Sequence, residues 1–428
     1  MKFWQRITVL FAKTVIIGLR LIGRHGTALP GLVAERLYPG LLSKLIGQLE
    51  QGVVLITGTN GKTTTAKIAR TLLEHRNLRV LSNRSGSNFT RGILASVMEQ
   101  ATWSGRLEFD IAVFEVDEAY ARLVAREVKP VVIVVLNVMR DQLDRYGEID
   151  KTAKLIGQAL EQSHAAVLNA NDRPVADLGT KLNDDKRTTY FGVSPQLQTL
   201  LPSDEGLLVG PMKSHRQPSP DVLLRQFDVS GQAEFLADGL SHKTNLQFSG
   251  IHNAQNATAA LALINHLYGA IDPGDMIALS RVRPAFGRGE EVIIHGVKAR
   301  LALIKNPSGF NQNLKAFCQP KVGGVLIIIN DRYADSRDVS WLWDVDLSPL
   351  SQIAGRITVS GARAYDMALR LQYEGMLSDP EMSLSSALKR AIDATPLTKE
   401  LLILPTYTAM LEARRLLSKT AELEKIWQ

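Results

Sequence analysis

Residues 52–75 read GVVLITGTNGKTTTAKIARTLLEH, and the fold turns on this stretch. GVVLITG is a short run rich in Val and Ile with glycines at its ends, the pattern of a strand buried on both faces. KTTTAKIARTLLEH, directly after it, has helical spacing. The junction, Gly58 to Thr65, therefore joins the end of a strand to the start of a helix. Its glycines permit a tight turn and let backbone N–H groups face an anion. The new helix adds the positive end of its dipole. In that setting Lys62 reaches the terminal phosphates of a nucleoside triphosphate and Thr63 sets a hydroxyl on Mg²⁺. Thr59, Asn60, Gly61, Lys62, Thr63 and Thr64 are the candidate nucleotide-binding residues.

Outward from the loop, FDIAVFEVDE, KPVVIVVLNV and SHAAVLNAND read as further buried strands, with helical spacing in KTAKLIGQALEQ between the last two. Such alternation predicts a mainly parallel sheet covered on both faces. The texture changes near Asp185, where KRTTYFGV, DVLLRQFDV and TNLQFSG read as short antiparallel strands. Ser194 to Pro220 is rich in Pro, Ser and Gly and reads as a surface insertion without cysteine. A helix follows in HNAQNATAALALINHLYG, and after RPAFGRGEE a second, smaller α/β unit begins, with strands at RLALIK, GGVLIIIN, GRITVSG and LLILPTYT. The expected division is an amphipathic segment 1–50, an α/β nucleotide-binding domain 51–289, and an α/β C-terminal domain 290–428.

The 428 residues suit two or three domains rather than one. Cys318, the single cysteine, excludes an internal disulfide and a cysteine-rich zinc site, and makes a reducing, cytoplasmic setting the default. The formal charge is +7, but no basic run with interleaved aromatics supports nucleic-acid binding. Near the N-terminus, Trp4, Ile7, Leu10, Phe11, Val15 and Leu19 fall at helical spacing, interrupted by Lys2, Arg6, Lys13, Arg20 and Arg24. That helix is too broken by charge to span a membrane. Two readings stand: a helix packed over the next domain, or one lying on an anionic membrane surface.

The spelling GTNGKTTT resembles the ATP loop of the Mur ligase family, and further matches follow in that family's order. FEVDEA puts Glu115 and Glu118 at the end of a strand, where a carboxylate can hold Mg²⁺. LNVMRDQLDRYG resembles the family's N…DHLDRHG segment through Asn137, Asp141, Leu143, Asp144, Arg145 and Gly147. GIHNAQNATAA resembles its helix start, which implies nucleotide contacts from His252, Asn253 and Asn256. RPAFGRGE resembles its hinge, which implies Arg288 near the ribose and phosphates. IKNPSGF resembles the segment that faces ATP when the domains close, which implies phosphate contacts from Lys305 and Asn306. The implied fold is α/β, a Mur ligase-type central ATPase domain followed by a smaller α/β domain. The implied chemistry moves the γ-phosphate of ATP onto a carboxylate so that an amine can displace it, with Lys62, Glu115 and Mg²⁺ at the phosphoryl group.

Three departures narrow the resemblance. Gln142 replaces the usual histidine; Ile156 stands where a carbamylated lysine is expected, with Lys154 two places away; and about fifty residues precede the loop, too few for a nucleotide-sugar domain. These features are similar to the MurT family, the Mur ligase-like subunits of lipid II isoglutaminyl synthase, over nearly the whole chain, including LPG at Leu29–Gly31 and the stretch NDRYADSRDVSWLWDVD. That resemblance implies a GatD-type glutamine amidotransferase partner that supplies ammonia. It implies amidation of the D-glutamate α-carboxylate of the lipid II stem peptide, and work at the inner face of the membrane. Unlike several members, this chain has no four-cysteine zinc ribbon in its middle domain, so no zinc is expected.

NDRYADSRDVSWLWDVD, Asn330 to Asp346, holds five aspartates and two tryptophans in a basic chain. The family resemblance implies that one aspartate completes the Cys-His pair of the partner's glutaminase, with Trp341 and Trp343 as anchors. Of Asp338, Asp344 and Asp346, Asp344 is singled out because it follows the aromatic pair directly. Competing readings are a stand-alone Mur-like amino-acid ligase of the polyglutamate or cyanophycin type, and a scaffold that binds ATP without catalysis.

Overall fold

The computed structural model describes residues 3–21, 28–83, 87–139, 149–183, 185–201, 217–283, 287–353 and 355–418. Two sheets organise them. The first has nine strands in the order β2-β3-β1-β4-β5-β6-β7-β8-β9. They are β1 (Val53–Thr57), β2 (Val80–Ser82), β3 (Ile111–Glu115), β4 (Val132–Val135), β5 (Ala165–Asn169), β6 (Thr188–Val193), β7 (Val222–Phe227), β8 (Gln232–Ala237) and β9 (Leu240–Asn245). The neighbours from β2 to β7 pair in parallel, with Val54 opposite Val113 on one side and Val132 on the other. The last pairs, β7–β8 and β8–β9, are antiparallel.

The helices of this part are α1 (Phe3–Leu21), α2 (Ala28–Leu37), α3 (Leu41–Ile46), α4 (Lys62–His75), α5 (Thr90–Gln100), α6 (Glu118–Val128), α7 (Ile149–Leu160), α8 (Arg173–Gly179), α9 (Pro195–Gln198), α10 (Ile251–Tyr268) and α11 (Pro273–Ser280). The period-two alternation of β1 divides the core. Val54 and Ile56 pack with Ile68, Leu72 and Leu73 of α4 and with α10, whereas Val53 and Leu55 pack with α3, α5 and α6 on the other face. Every residue of β1, β3, β4 and β5 is buried, so these strands read as unbroken apolar runs. Each fully buried leucine of α4 contributes about 1.5–3 kcal/mol of transfer free energy.

Two sequence expectations change here. KRTTYFGV is not antiparallel: β6 pairs in parallel with β5 and with β7. TNLQFSG contributes only Thr244 and Asn245 to a strand, and the antiparallel ribbon is built from β7, β8 and β9. The period-two signal of β9 (Leu240–Asn245) is weak because none of its residues is buried, which removes the alternation a sequence reader relies on. Most of the insertion 194–220 lies outside the described residues; its first part forms α9.

The N-terminal helix packs on the domain with one face and leaves another open. α1 packs on α2 and α5 through the small side chains Thr8, Val9 and Ala12, while Ile7, Leu10, Phe11 and Ile17 stay exposed. Lys13 folds inward, donating to Glu99 O at 3.2 Å and lying 5.4 Å from the Trp103 ring centroid. Among the described residues no helix is long and apolar enough to cross a membrane.

The second sheet has the order β10-β11-β15-β12-β13-β14, from β10 (Arg288–Ile294), β11 (Val297–Ala302), β12 (Val322–Ile328), β13 (Arg356–Ser360), β14 (Asp379–Glu381) and β15 (Glu400–Pro405). Only β10–β11 is antiparallel. The helices α12 (Pro307–Phe317), α13 (Ala364–Tyr373), α14 (Leu384–Ala394) and α15 (Tyr407–Leu417) cover its two faces. In both sheets the chain leaves the strand carboxyl ends into the segments of interest: Gly58–Gly61 after β1, Asn137–Met139 after β4, Lys305–Asn306 after β11 and Asn330–Asp346 after β12. Ligands of open α/β sheets bind at this edge.

Candidate active site

The loop after β1 takes its shape from two glycines. Gly58 (φ +128) and Gly61 (φ +91) lie where side chains are strained. A Cβ on Gly58 would come within 2.9 Å of the Asn137 backbone, and one on Gly61 within 2.2 Å of Asn256 Oδ1. Asn137 stitches the loop to the segment after β4: its Oδ1 accepts from Asn60 N at 2.8 Å, its Nδ2 donates to Asn60 O at 3.1 Å, and its carbonyl accepts from Thr59 N at 3.0 Å. Thr59 Oγ1 accepts from Met139 N at 3.0 Å. Lys62, the first residue of α4, turns back across the loop and donates to Gly58 O at 2.5 Å and to Glu118 Oε2 at 2.9 Å.

Glu115 is buried at the end of β3, its backbone clamped by the Asn83 side chain through Glu115 N (2.9 Å) and Glu115 O (2.9 Å). Glu118 does not share that strand end. It opens α6, behind the N-cap Asp117 that accepts from Ala119 N at 3.1 Å. Burial drives the Glu118 carboxyl up, but Lys62 and then Lys305 outweigh it and hold the carboxyl below its ordinary value. Thr63 offers a hydroxyl and Glu115 a carboxylate. These hard oxygen donors suit Mg²⁺, which takes one or two protein oxygens and completes its shell with phosphate and water. Among the described residues no group of three or more His, Cys, Asp or Glu is arranged to hold a metal ion.

The opposite wall is the start of α10, entered through Gly250 at φ +93. His252, Asn253 and Asn256 line one cleft together with Asn60, Gly61 and Thr64. Asn253 Nδ2 donates to Ser249 O at 2.8 Å, fixing the first turn. The same cleft is lined by Met139, Asn171, Asp172 and Arg173, which sequence reasoning missed. Asn171 Oδ1 accepts from Val193 N at 2.7 Å and its Nδ2 donates to Gln198 Oε1 at 3.0 Å, so it joins β5 to β6 and α9. The only sequence signal there is a pair of turn residues, Asn171-Asp172, that any strand end can carry.

The C-terminal sheet reaches this loop directly. Lys305 Nζ donates to Thr59 O at 2.9 Å, and Asn306 Nδ2 to Asn60 Oδ1 at 3.3 Å. Asn306 also caps α12, accepting from Gly309 N at 2.8 Å, and Asn60 Nδ2 donates to Ser308 Oγ at 3.4 Å. The structure thus brings together Thr59–Thr64, His252, Asn253, Asn256, Lys305 and Asn306 at the facing edges of two sheets, with Glu118 against Lys62 and Glu115 opposite Ile56 at the end of the strand beside β1. Arg288 begins β10, and its side chain lies outside what is described, as do Asp141, Gln142, Leu143, Asp144, Arg145 and Gly147. Lys154 is exposed on α7, while Ile156 is fully buried in the core.

The acidic stretch after β12 is a separate surface. Asn330 Nδ2 donates to Thr408 Oγ1 at 3.0 Å, and buried Asp335 accepts from Thr408 N at 2.7 Å, so the stretch is tied to α15. Asp338 caps its own turn through Ser340 N (2.8 Å), and Asp346 does so through Ser348 N (3.0 Å). The Ser348 bonds hold the Asp346 carboxyl below its ordinary value. The two tryptophans divide. Trp341 is buried against Phe310, ring centroids 6.4 Å apart, whereas Trp343 is half exposed and meets Tyr373 edge-on at 5.2 Å. Asp344 is exposed beside it.

Residues 56–264 match the Mur ligase middle domain family, and residues 303–410 match the MurT ligase C-terminal family. A relative from Streptococcus pneumoniae, the MurT subunit of lipid II isoglutaminyl synthase (glutamine-hydrolyzing), is 31% identical over 93% of this chain and 93% of its own. A crystal structure of MurF from Acinetobacter baumannii superposes with a TM-score of 0.69 at 20% identity, over 91% of this chain and 80% of that one. MurF ligase from Thermotoga maritima in complex with ADP superposes with a TM-score of 0.64 at 16% identity, over 89% and 83%. These two share the fold. The identity across nearly full length to the streptococcal subunit decides the family: the chain belongs to the MurT family of ATP-dependent Mur-type ligases.

Proposed function

We propose that the chain is the ligase subunit of a lipid II isoglutaminyl synthase. It activates the D-glutamate α-carboxylate of the lipid II stem peptide with ATP and lets ammonia from a GatD-type glutaminase displace the phosphate, in peptidoglycan synthesis. The observation that carries this reading is the approach of Lys305 and Asn306 to the Thr59–Asn60 loop, because it sets cations from two domains around one anion cradle.

On this reading the N–H groups of the loop and the start of α4 hold the triphosphate. Lys62 exchanges Gly58 O and Glu118 for phosphate oxygens, a short swing for a flexible ammonium. Thr63 and Glu115 would hold Mg²⁺ through hydroxyl and carboxylate oxygens, and bound there it would neutralise charge on the phosphoryl group. His252, Asn253, Asn256 and Arg288 contact the nucleotide. Lys305 and Asn306 close over the activated carboxyl and keep water from it. Asp344 completes the Cys-His pair of the partner. The exposed Ile7, Leu10, Phe11 and Ile17 of α1 rest on the inner membrane surface where lipid II is presented. The working division is 1–50, 51–289 and 290–428.

The test is isotopic. With the glutaminase partner, glutamine, ATP and lipid II labelled with oxygen-18 in the α-carboxylate, one label should pass to the released phosphate. Unlabelled phosphate beside amide product would overturn the mechanism, and product from a free amino acid with the isolated chain would make it a stand-alone ligase.

A further inference from the structure

Behind the exposed Trp343–Asp344 surface sits one buried cation. Arg370 of α13 is 7% exposed. Its Nε donates to Leu342 O at 3.3 Å and its Nη2 to Val345 O at 3.0 Å, the carbonyls that bracket Trp343 and Asp344. Its Nη1 pairs with Glu374 at 2.7 Å, and its guanidinium carbon lies 5.5 Å from the Trp343 ring centroid. The loop here is a single 3₁₀ turn, Ser340–Asp344, with few bonds of its own. Its direction is therefore set by what it leans on: Trp341 in the core, and this guanidinium.

We infer that Arg370 is the positioning residue for Asp344. A planar fork that donates to both bracketing carbonyls and faces the neighbouring indole leaves the intervening backbone one orientation, which aims the Asp344 carboxylate outward. A lysine keeps the charge opposite Glu374 but, as a point donor, does not span the two carbonyls. The inference rests on the proposed role of Asp344 at the partner's glutaminase.

The experiment compares Arg370→Lys and Asp344→Asn in the complex with the glutaminase partner. Glutamine hydrolysis, ammonium-driven amidation and co-elution of the two subunits are measured for each. Arg370→Lys is expected to lower kcat for glutamine about 10- to 100-fold with KM little changed, the scale of a 1 Å misplacement, while ammonium-driven amidation and co-elution persist. Three results would overturn the inference or its basis. Wild-type glutamine hydrolysis in Arg370→Lys, with Asp344→Asn inactive, removes the inference alone. A parallel fall of ammonium-driven amidation makes Arg370 a plain structural residue. Wild-type hydrolysis in Asp344→Asn removes the underlying reading of Asp344. If Arg370→Lys fails to fold, Arg370→Gln, which avoids a buried unpaired charge, carries the same comparison.

Discussion

Lys62 and Glu118 form a buried ion pair beside the loop, 2.9 Å between Nζ and Oε2. Both are largely buried, at 12% and 2% side-chain exposure, so removing one partner strands the other. Glu118→Gln should cost about 1–3 kcal/mol of unfolding free energy at neutral pH, read by urea denaturation. Because the Glu118 carboxyl is held low, this contribution is present above the ordinary carboxylate value and drains as pH falls through the folded value, so wild type and variant should converge in acid. Lys62→Ala addresses chemistry instead. On the proposed reading it should lower ammonium-driven amidation by about 100-fold or more, with co-elution of the partner intact. Undiminished amidation would leave only a scaffold.

At the scale of elements, the start of α10 carries cleft residues while its far end is pure packing, and the two behave differently toward pH. His266 is buried there, its Nδ1 2.8 Å from Thr189 Oγ1 of β6. Burial, and then the charge of Arg187, lower its pKa to about 4. The folded value lies below the unfolded one, so the native state takes up fewer protons in between. Stability is complete above the unfolded pKa of about 6.5 and declines as pH falls toward 4. Wild type should lose about 1–2 kcal/mol by about pH 5 after allowance for solvent screening, a loss that His266→Gln should not show in denaturation at the two pH values. α1 offers a second prediction at this scale. Leu10→Gln with Phe11→Ser alters only exposed positions and should leave the thermal midpoint nearly unchanged. It should weaken co-sedimentation with anionic vesicles several-fold, and unchanged sedimentation would detach α1 from the membrane.

The whole molecule is two sheets whose carboxyl edges face one another, with Lys305 and Asn306 crossing between them. Lys305→Ala should lower ammonium-driven amidation about 10- to 100-fold while glutamine hydrolysis by the complex stays near wild type, because it removes only the Lys305 ammonium and leaves the contacts of the acidic stretch with α12, α13 and α15 in place. A matching fall in both activities would place the two sites under one closure. Much of this arrangement was legible from residues alone. The strand–loop–helix of Gly52–His75 is local: a buried apolar run, glycines at positive φ and a helix start each leave a mark in consecutive residues. The ordered matches at Glu115, His252 and Lys305 carried the family. What tertiary structure alone decided depends on contacts between distant residues, which no local pattern encodes. Asn137 hydrogen-bonds the loop across 77 positions, Glu118 meets Lys62 across 56, Arg370 holds the carbonyl of Leu342 across 28, and α1 buries Thr8, Val9 and Ala12 while Ile7, Leu10, Phe11 and Ile17 face out. Helical and strand periods mark which residues share a face; which face is covered, and by what, is settled only when the elements pack.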